Sequence, residues 1–380
     1  MENEKIRVMI IDDSALMRNL ISTALSDNKS INVVGTAING RFGIKKLNLL
    51  KPDIIILDLE MPDMNGIDFL KEKQKLNLKT PIIILSALAK KGAKITLDAL
   101  ALGASDFILK PTGSPEDISK TKIELVDMIL ALGRPNSFVS NEIKIKIPIQ
   151  ETGKIFEQQI QIEEAPKLEM RNYLRPVSIL PDKIEIISIG ISTGGPNALR
   201  EILPLFPENF SVPIAVVQHM PPGFTFEFAK GLNNICGLEV KEAEEGDIVK
   251  AGKIYIAPGD KHIKFLSKRL ANIIKLDDGP PMNGHRPSAD VLFESTAEVY
   301  GGNSIGCIMT GMGKDGAIKI GDIMKKGGVT IAQDQNTSVV FGMPKCAIEF
   351  GNIQYVCPLH EIPKMIFNIL GKKNNILNIK

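Results

Sequence analysis

Short runs of β-branched and other apolar residues, separated by segments with helical spacing, constrain the fold of this chain more than any other feature. Runs that are apolar throughout are typical of parallel strands, because helices cover both faces of such a sheet. Amphipathic stretches such as Leu16–Leu25 and Ile67–Leu76 separate the first runs. The first five runs are Arg7–Ile11, Ile31–Val34, Ile54–Leu57, Ile82–Leu85 and Phe107–Leu109. The pattern predicts a doubly wound α/β domain over residues 1–134.

The same rhythm returns in the C-terminal half of the chain. A length of 380 residues is large for one domain, so two domains are expected. We predict a second doubly wound parallel-sheet domain over residues 183–371, followed by a polar tail at 372–380. The predicted strands of the second domain are Ile184–Ile189, Pro213–Val217, Lys253–Ile256, Ser304–Met309 and Val329–Ala332.

Residues 135–182 differ from both halves. They lack sustained helical periodicity, and prolines recur at positions 148, 166, 176 and 181. A connection of this length is uncommon inside one compact domain. We therefore predict a linker between the two domains, although the segments EIKIKIPI and KIFEQQIQI could instead form a short hairpin.

Composition excludes several classes of protein. The net charge is only +2, and no concentrated basic excess suggests nucleic-acid binding. No apolar run is long enough to insert in a membrane, and the N-terminal run is too short for a signal peptide. The four cysteines form no C-x-x-C pair, which favours buried thiols in a reducing compartment. We expect a cytoplasmic protein.

Polar side chains follow the predicted strands of the N-terminal half. Asp12 and Asp13 follow strand one, and Asp58, Ser86 and Lys110 follow strands three, four and five. In parallel sheets these ends share one edge, where ligands bind. Three carboxylates at one edge repel one another, and Mg²⁺ would relieve that repulsion. Each acid alone could be a solvated strand cap, but the combination predicts a phosphoryl and Mg²⁺ site.

This half resembles a two-component receiver domain over its whole length. The resemblance implies a flavodoxin-like fold in which a histidine kinase phosphorylates Asp58 in the presence of Mg²⁺. It implies that Asp12, Asp13 and Asp58 hold the metal. It also implies supporting roles for Ser86, for Lys110 and for Phe107 at the aromatic switch position. The segment Met61–Gly66 matches the loop that follows the phosphoacceptor.

The stretch Ile184–Asn197 reads IEIISIGISTGGPN. A strand that passes through a glycine turn into a helix places Ser192 at the carboxyl end of a sheet, near unpaired helix N–H groups. The residues Gly190, Ser192 and Gly194 also fit the G-x-S-x-G nucleophile elbow. An ordinary glycine turn is an equally good interpretation of these residues alone. A dinucleotide cradle is disfavoured, because the glycine spacing differs from G-x-G-x-x-G.

A serine nucleophile needs a base and an acid that orients the base. His219 lies just past a predicted strand end, and His262 is a rival with a similar position. Asp315 stands among three glycines, whereas Asp260 in Pro-Gly-Asp reads as a plain turn. His285 in a polar loop and His360 near the chain end are weaker candidates for the base. Local sequence leaves these alternatives open.

Residues 184–370 resemble the catalytic domain of the protein-glutamate methylesterase of bacterial chemotaxis. The matching stretches are GISTGGP at 190–196, QHMP at 218–221, APGDKH at 257–262, RPSA at 286–289, TGMGKDG at 310–316 and FGMP at 341–344. The resemblance implies a Rossmann-like α/β fold and a triad of Ser192, His219 and Asp315. It implies backbone oxyanion donors at Thr193 and Met312.

The order of receiver, linker and methylesterase is that of the family, which implies a phosphorylation-activated hydrolase that demethylates chemoreceptor glutamates and deamidates receptor glutamines. The implied partners are methyl-accepting chemoreceptors and a chemotaxis histidine kinase. The family also implies a monomer, no cofactor for the esterase reaction, and a receiver that covers the catalytic edge until it is phosphorylated. A DNA-binding regulator would need a basic reading helix after residue 182, and none is visible. A module that only sequesters a partner would not need all three triad residues.

Overall fold

A computed structural model describes residues 5–87, 90–111, 114–133 and 180–371. Most of the predicted linker, including its alternative hairpin, lies outside these described residues, as does the predicted tail. Within the described residues, two parallel sheets are flanked by helices, which confirms the predicted fold class. No helix in these ranges is long and apolar enough to cross a membrane.

The N-terminal sheet has five parallel strands in the order β2-β1-β3-β4-β5. Its strands are β1 (Ile6–Ile11), β2 (Ile31–Ala37), β3 (Ile54–Asp58), β4 (Ile82–Ser86) and β5 (Asp106–Leu109). Its helices are α1 (Ala15–Ser26), α2 (Gly40–Leu50), α3 (Gly66–Lys75), α4 (Lys90–Ala101) and α5 (Pro115–Leu132). Polar side chains at Ser14, Asn39, Asn65 and Ser114 cap four of these helices by accepting backbone N–H groups. Because all five strands are parallel, their carboxyl ends lie at one edge of the sheet, as the sequence predicts.

The C-terminal sheet has seven parallel strands in the order β14-β13-β12-β6-β7-β9-β8. Its strands are β6 (Ile186–Ile191), β7 (Ile214–Gln218), β8 (Glu239–Glu242), β9 (Lys253–Ile256), β12 (Ser304–Ile308), β13 (Val329–Gln333) and β14 (Tyr355–Cys357). A separate antiparallel hairpin joins β10 (His262–Ser267) and β11 (Asn272–Asp277). The helices are α6 (Gly195–Ile202), α7 (Phe224–Asn233), α8 (Ala289–Tyr300), α9 (Ile320–Lys325), α10 (Met343–Glu349) and α11 (Ile362–Gly371). β6 lies near the middle, between β12 and β7, so the residues after these strands are neighbours.

Strand β6 begins and ends two residues later than the sequence predicts. Gly190 and Ile191 lie within the strand, where Gly190 pairs with Ile308 and Val217 of the adjacent strands. The glycine is needed for packing, because a Cβ there would lie 2.6 Å from Ala289 Cβ. This shift places Ser192 directly after the last residue of the strand.

One apolar cluster joins the two halves of the molecule. It contains buried strand residues from both sheets, such as Ile84 and Ile189. Helix α4 packs against α6 and α7 in this region. The N-terminal half therefore lies against the edge of the C-terminal sheet at which α6 and α7 begin.

Candidate active site

Ser192 lies in a tight turn between β6 and α6. Gly194 has φ +76°, which is a backbone conformation that favours glycine, and a Cβ there would lie 2.6 Å from the Val339 side chain. Pro196 occupies the first turn of α6, where its missing N–H leaves no bond unmade. The turn therefore holds Ser192 beside the N-terminus of α6, as a nucleophile elbow requires.

Ser192, His219 and Asp315 form a continuous chain of hydrogen bonds. His219 Nδ1 lies 3.0 Å from Ser192 Oγ, and His219 Nε2 lies 2.8 Å from Asp315 Oδ2. An ionised Asp315 accepts, so the ring proton resides on Nε2 and leaves Nδ1 free to accept the Ser192 proton. The geometry matches the roles of nucleophile, base and orienting acid.

Asp315 is buried at the N-terminus of α8. Ser288 Oγ and Asn283 Nδ2 donate to Oδ1 at 2.6 and 3.0 Å, and the Ala289 N–H donates to Oδ2 at 2.6 Å. Burial favours the neutral acid, but the His219 contact and these side-chain donors outweigh burial, so the pKa of Asp315 lies well below its usual range. The site therefore holds a carboxylate beside His219 at every pH at which a histidine base works.

The other histidines have different surroundings. Both ring nitrogens of His262 face backbone groups, because Nδ1 accepts the Ser288 N–H at 3.1 Å and Nε2 donates to the Pro280 carbonyl at 3.2 Å. His360 is exposed in a short 3-10 helix at Leu359–Glu361. His285 stacks on His219 instead. Of the four histidines, His219 is the one that contacts Ser192 within the described residues.

Two backbone N–H groups beside Ser192 are free. The N–H groups of Thr193 and Met312 donate to no group in the part of the chain that the structure describes. Thr193 follows the nucleophile directly, and Met312 follows Gly311, at which a Cβ would lie 2.8 Å from Ser192 Cβ. These are the positions that the sequence predicts for oxyanion donors, and a developing negative charge near Ser192 could accept from both.

Three supporting residues were missed by sequence reasoning. Gln218 Nε2 donates to the carbonyls of Ser192 and His219 at 3.0 and 3.1 Å, and so connects the turn at Ser192 to the loop at His219. Ser288 and Asn283 hold the acid. Ser288 was detectable as a helix N-cap in the RPSA stretch, and Asn283 as the start of an Asn-Gly turn.

The predicted phosphorylation residues converge at the edge of the N-terminal sheet. Ligand oxygens of Asp12, Asp13 and Asp58 lie within 4.8 Å of one another. Lys110 Nζ lies 2.8 Å from Asp58 Oδ2 and 3.1 Å from Asp12 Oδ2. Burial raises the pKa of Asp58 above its usual range, although Lys110 opposes that shift. The Ser86 hydroxyl lies at the same edge and contacts Thr96 Oγ1 at 2.5 Å.

The acidic cluster fits a hard divalent cation. Asp12 Oδ2 is buried and accepts no hydrogen bond within the described residues, even though the Lys110 ammonium is close enough for an ion pair. Asp13 is exposed and could complete the site from the solvent side. Few carboxylates and several waters are the ligands that Mg²⁺ prefers.

Comparison with known families identifies both halves. A CheB methylesterase family model matches residues 187–366, and a response regulator receiver domain model matches residues 8–121. The protein-glutamate methylesterase/protein-glutamine glutaminase of Treponema denticola is 47% identical over 97% of this chain and 99% of its own length. This chain belongs to the CheB methylesterase family.

A second relative matches nearly the whole chain, and a solved structure matches its C-terminal half. The enzyme named protein-glutamate methylesterase/protein-glutamine glutaminase 2 from Koribacter versatilis is 44% identical over 96% of each chain. The crystal structure of the Thermotoga maritima CheB methylesterase catalytic domain is 45% identical, with a TM-score of 0.48, and covers 49% of this chain and 99% of that one. The two family models together place a receiver domain and a methylesterase domain in this one chain.

The receiver domain contacts the methylesterase domain next to the nucleophile elbow. Asp106 Oδ2 accepts the Gly194 N–H at 3.1 Å, and the Asn197 amide donates to the Ala104 carbonyl at 2.9 Å. The Met312 side chain packs against an apolar cluster of the receiver. The receiver thus lies against both elements that carry the free N–H groups.

Phe107, for which the receiver resemblance implies the aromatic switch position, takes part in the same interface. The Phe107 ring stacks on Phe224 with centroids 4.9 Å apart and planes 4° from parallel. Phe224 begins α7, the helix that follows the loop carrying His219. A change in the position of Phe107 would therefore reach the catalytic edge through a single side-chain contact.

Proposed function

We propose that this chain is a serine hydrolase that demethylates glutamate methyl esters on methyl-accepting chemoreceptors in chemotactic adaptation. The hydrogen-bonded chain of Ser192, His219 and Asp315 carries the proposal. The full-length relatives named as methylesterases and glutaminases support the substrate. We extend the proposal to deamidation of receptor glutamines, because an amide carbonyl reacts through the same tetrahedral intermediate.

The mechanism follows from the geometry. Ser192 Oγ attacks the ester carbonyl while His219 Nδ1 takes its proton, and Asp315 stabilises the imidazolium that forms. The N–H groups of Thr193 and Met312 receive the oxyanion, each contributing about 3–4 kcal/mol as measured oxyanion donors do. His219 returns the proton to the departing methanol. Water then attacks the acyl-enzyme by the same route and releases the free glutamate and Ser192.

A substitution of Ser192 tests the chemistry. In Ser192→Ala, methanol release from methylated receptor membranes should fall at least about 10³-fold, because no nucleophile remains. The exposed Ser211 offers a matched control, and Ser211→Ala should keep the wild-type rate. If Ser192→Ala retained wild-type release, the nucleophile would be another residue.

The N-terminal half supplies regulation in this proposal. A chemotaxis histidine kinase transfers a phosphoryl group to Asp58, with Mg²⁺ held by Asp12, Asp13 and Asp58. Lys110 and Ser86 lie where they could contact the phosphoryl oxygens. We assign residues 1–134 to the receiver, 135–182 to a linker, 183–371 to the catalytic domain and 372–380 to a tail. The chain would work as a monomer in the cytoplasm, where the kinase and the receptor substrate helices meet, and the esterase half would need no cofactor.

We propose further that the receiver is a lid. Asp106, Phe107 and Ala104 contact the elements around Ser192, and Thr193 is only 7% exposed with the receiver in place. Moving a lid from 99% closed to 99% open needs about 5.5 kcal/mol, part of which one phosphoryl group could supply through charge-assisted contacts. Deleting residues 1–134 should raise the donor-free rate, and an unchanged rate would contradict the lid.

A further inference from the structure

A four-residue turn lies against the triad and takes no part in the mechanism above. Met282 and His285 exchange both backbone hydrogen bonds, at 3.0 and 2.9 Å. Between them Asn283 and Gly284 have φ +52° and +82°. Two positive φ values in succession define a type I′ turn, for which Asn-Gly is a preferred pair. The turn geometry therefore sets the directions in which the side chains of Asn283 and His285 leave the backbone.

Two side chains of this turn reach different members of the triad. The Asn283 amide donates to Asp315 Oδ1 at 3.0 Å and to Asp290 Oδ2 at 2.7 Å. The His285 ring stacks on His219, with centroids 3.9 Å apart and planes 10° from parallel. One turn thus contacts the Asp315 carboxylate through Asn283 and the face of the His219 ring through His285.

The charge state of His285 suits this contact. Burial, together with the neighbouring His219, lowers the pKa of His285 to about 4. His285 is therefore neutral at the pH at which a histidine base works. A neutral ring neither repels the imidazolium that His219 becomes nor competes with it for the Ser192 proton.

The stack supplies a constraint that the triad hydrogen bonds do not. Ser192 and Asp315 hold His219 at its two nitrogens, which leaves rotation about the line between those nitrogens. A parallel ring at van der Waals distance opposes that rotation. When Ser192 becomes acylated, its hydroxyl proton is gone and His219 is anchored by hydrogen bonding at Asp315 alone. The stacked ring of His285 then still opposes tilting of the imidazole.

We propose that His285 is a positioning residue that fixes the plane of His219, above all in the acyl-enzyme, where Nδ1 must take a proton from the attacking water. The inference rests on the proposed triad. In that step water adds to the glutamyl carbonyl, its proton passes to Nδ1, and the ester bond to Ser192 Oγ breaks as the proton returns to Oγ. A His219 ring whose plane is free to rotate therefore slows deacylation more than acylation.

The experiment compares flat and non-flat substitutes of similar size. In His285→Leu, the turnover number for methanol release should fall about tenfold, equivalent to about 1.4 kcal/mol, and KM should fall with it because deacylation becomes the slow step. Because Ser192 is acylated by the receptor itself, a covalent adduct of enzyme and receptor should accumulate on a denaturing gel. His285→Phe retains the plane and should restore turnover to within about threefold without the adduct. His360→Phe, at an exposed histidine, should behave as wild type.

The outcomes separate this inference from the proposed function. If Ser192→Ala is inactive while His285→Leu turns over like wild type, the positioning role is refuted and the triad stands. Equal defects in His285→Leu and His285→Phe, a raised KM, or slow turnover without the adduct would also refute it. If a thermal unfolding measurement shows that His285→Leu is not folded, His285→Gln takes its place. The same adduct and the same loss of turnover are then expected.

Discussion

The contact between Asp106 and Gly194 predicts that closure of the receiver lid depends on pH. Asp106 is buried at the start of β5, and its carboxylate accepts N–H groups from Phe107 at 2.8 Å and Gly194 at 3.1 Å. Burial raises the pKa of Asp106 to about 7, because desolvation outweighs these two hydrogen bonds. When the domains separate, the carboxyl group returns to water and to an ordinary pKa of about 3.9.

The sign and size of the effect follow from these two values. The closed state binds the proton more tightly, so closure is favoured at low pH and loses that advantage as the pH rises through about 7. From pH 6 to pH 8 the ratio of closed to open molecules should fall about tenfold, or about 1.4 kcal/mol. The rate without a phosphodonor should rise by the same factor, since the open form is the active one.

The assay is methanol release without a phosphodonor at pH 6, 7 and 8. Each rate is divided by the rate of the same protein treated with a small acyl phosphate and Mg²⁺, which removes the intrinsic pH dependence of the triad. Asp106→Asn keeps an oxygen for the Gly194 N–H but cannot ionise. Its normalised rate should be lower than that of the wild type and independent of pH.

A matched control comes from an exposed acid on α4. Asp98→Asn should keep the wild-type slope with pH, whatever its effect on the absolute rate. If Asp106→Asn rose with pH as steeply as the wild type, Asp106 would not be the titrating group. A flat wild-type profile would show that the domain contact does not carry the predicted linkage.

Three further predictions test the interface, the acid and the metal. Phe107→Ala removes the stack on Phe224, worth about 0.5–1.5 kcal/mol beyond burial, so the donor-free rate should rise about two- to tenfold, and an unchanged rate would contradict the contact. Ser288→Ala removes a donor to Asp315 and the α8 cap, so stability should fall by about 0.5–2 kcal/mol and kcat about tenfold, with recovery in Ser288→Thr. Chelation of Mg²⁺ should abolish stimulation by the phosphodonor and spare the donor-free rate, whereas stimulation that survives chelation would argue against metal at Asp58.

Periodicity and strand ends were sufficient to predict most of the fold. The strands of parallel sheets are apolar throughout, so the five strands of the N-terminal sheet and five of the seven strands of the C-terminal sheet were predicted in order. The short strands β8 and β14 at the two edges of the C-terminal sheet were missed. The β10–β11 hairpin was not foreseen, because Lys264 and Lys275 interrupt its apolar pattern. The end of β6 was misplaced, because Gly190 reads as a turn residue until Ala289 and Phe293 are seen packed against it.

The residues around the triad were harder to predict than its proposed members. His285 reads as a loop histidine, and its stacking on His219 depends on a turn that packs across the domain. His262 follows a strand as His219 does, and only its backbone partners show a structural role. Asp106 reads as an ordinary acid at a strand start. Its contact with Gly194 depends on how the two domains pack against each other, and no local sequence pattern encodes that packing.

The most direct test of the whole account is methanol release from methylated receptor membranes, with Mg²⁺, with and without the acyl phosphate. We predict that the donor raises release by the wild type and leaves Asp58→Asn at its donor-free rate, while release by Ser192→Ala is at least about 10³-fold below that of the wild type in both conditions. Equal stimulation of Asp58→Asn, or wild-type release by Ser192→Ala, would contradict a serine hydrolase controlled by phosphorylation at Asp58.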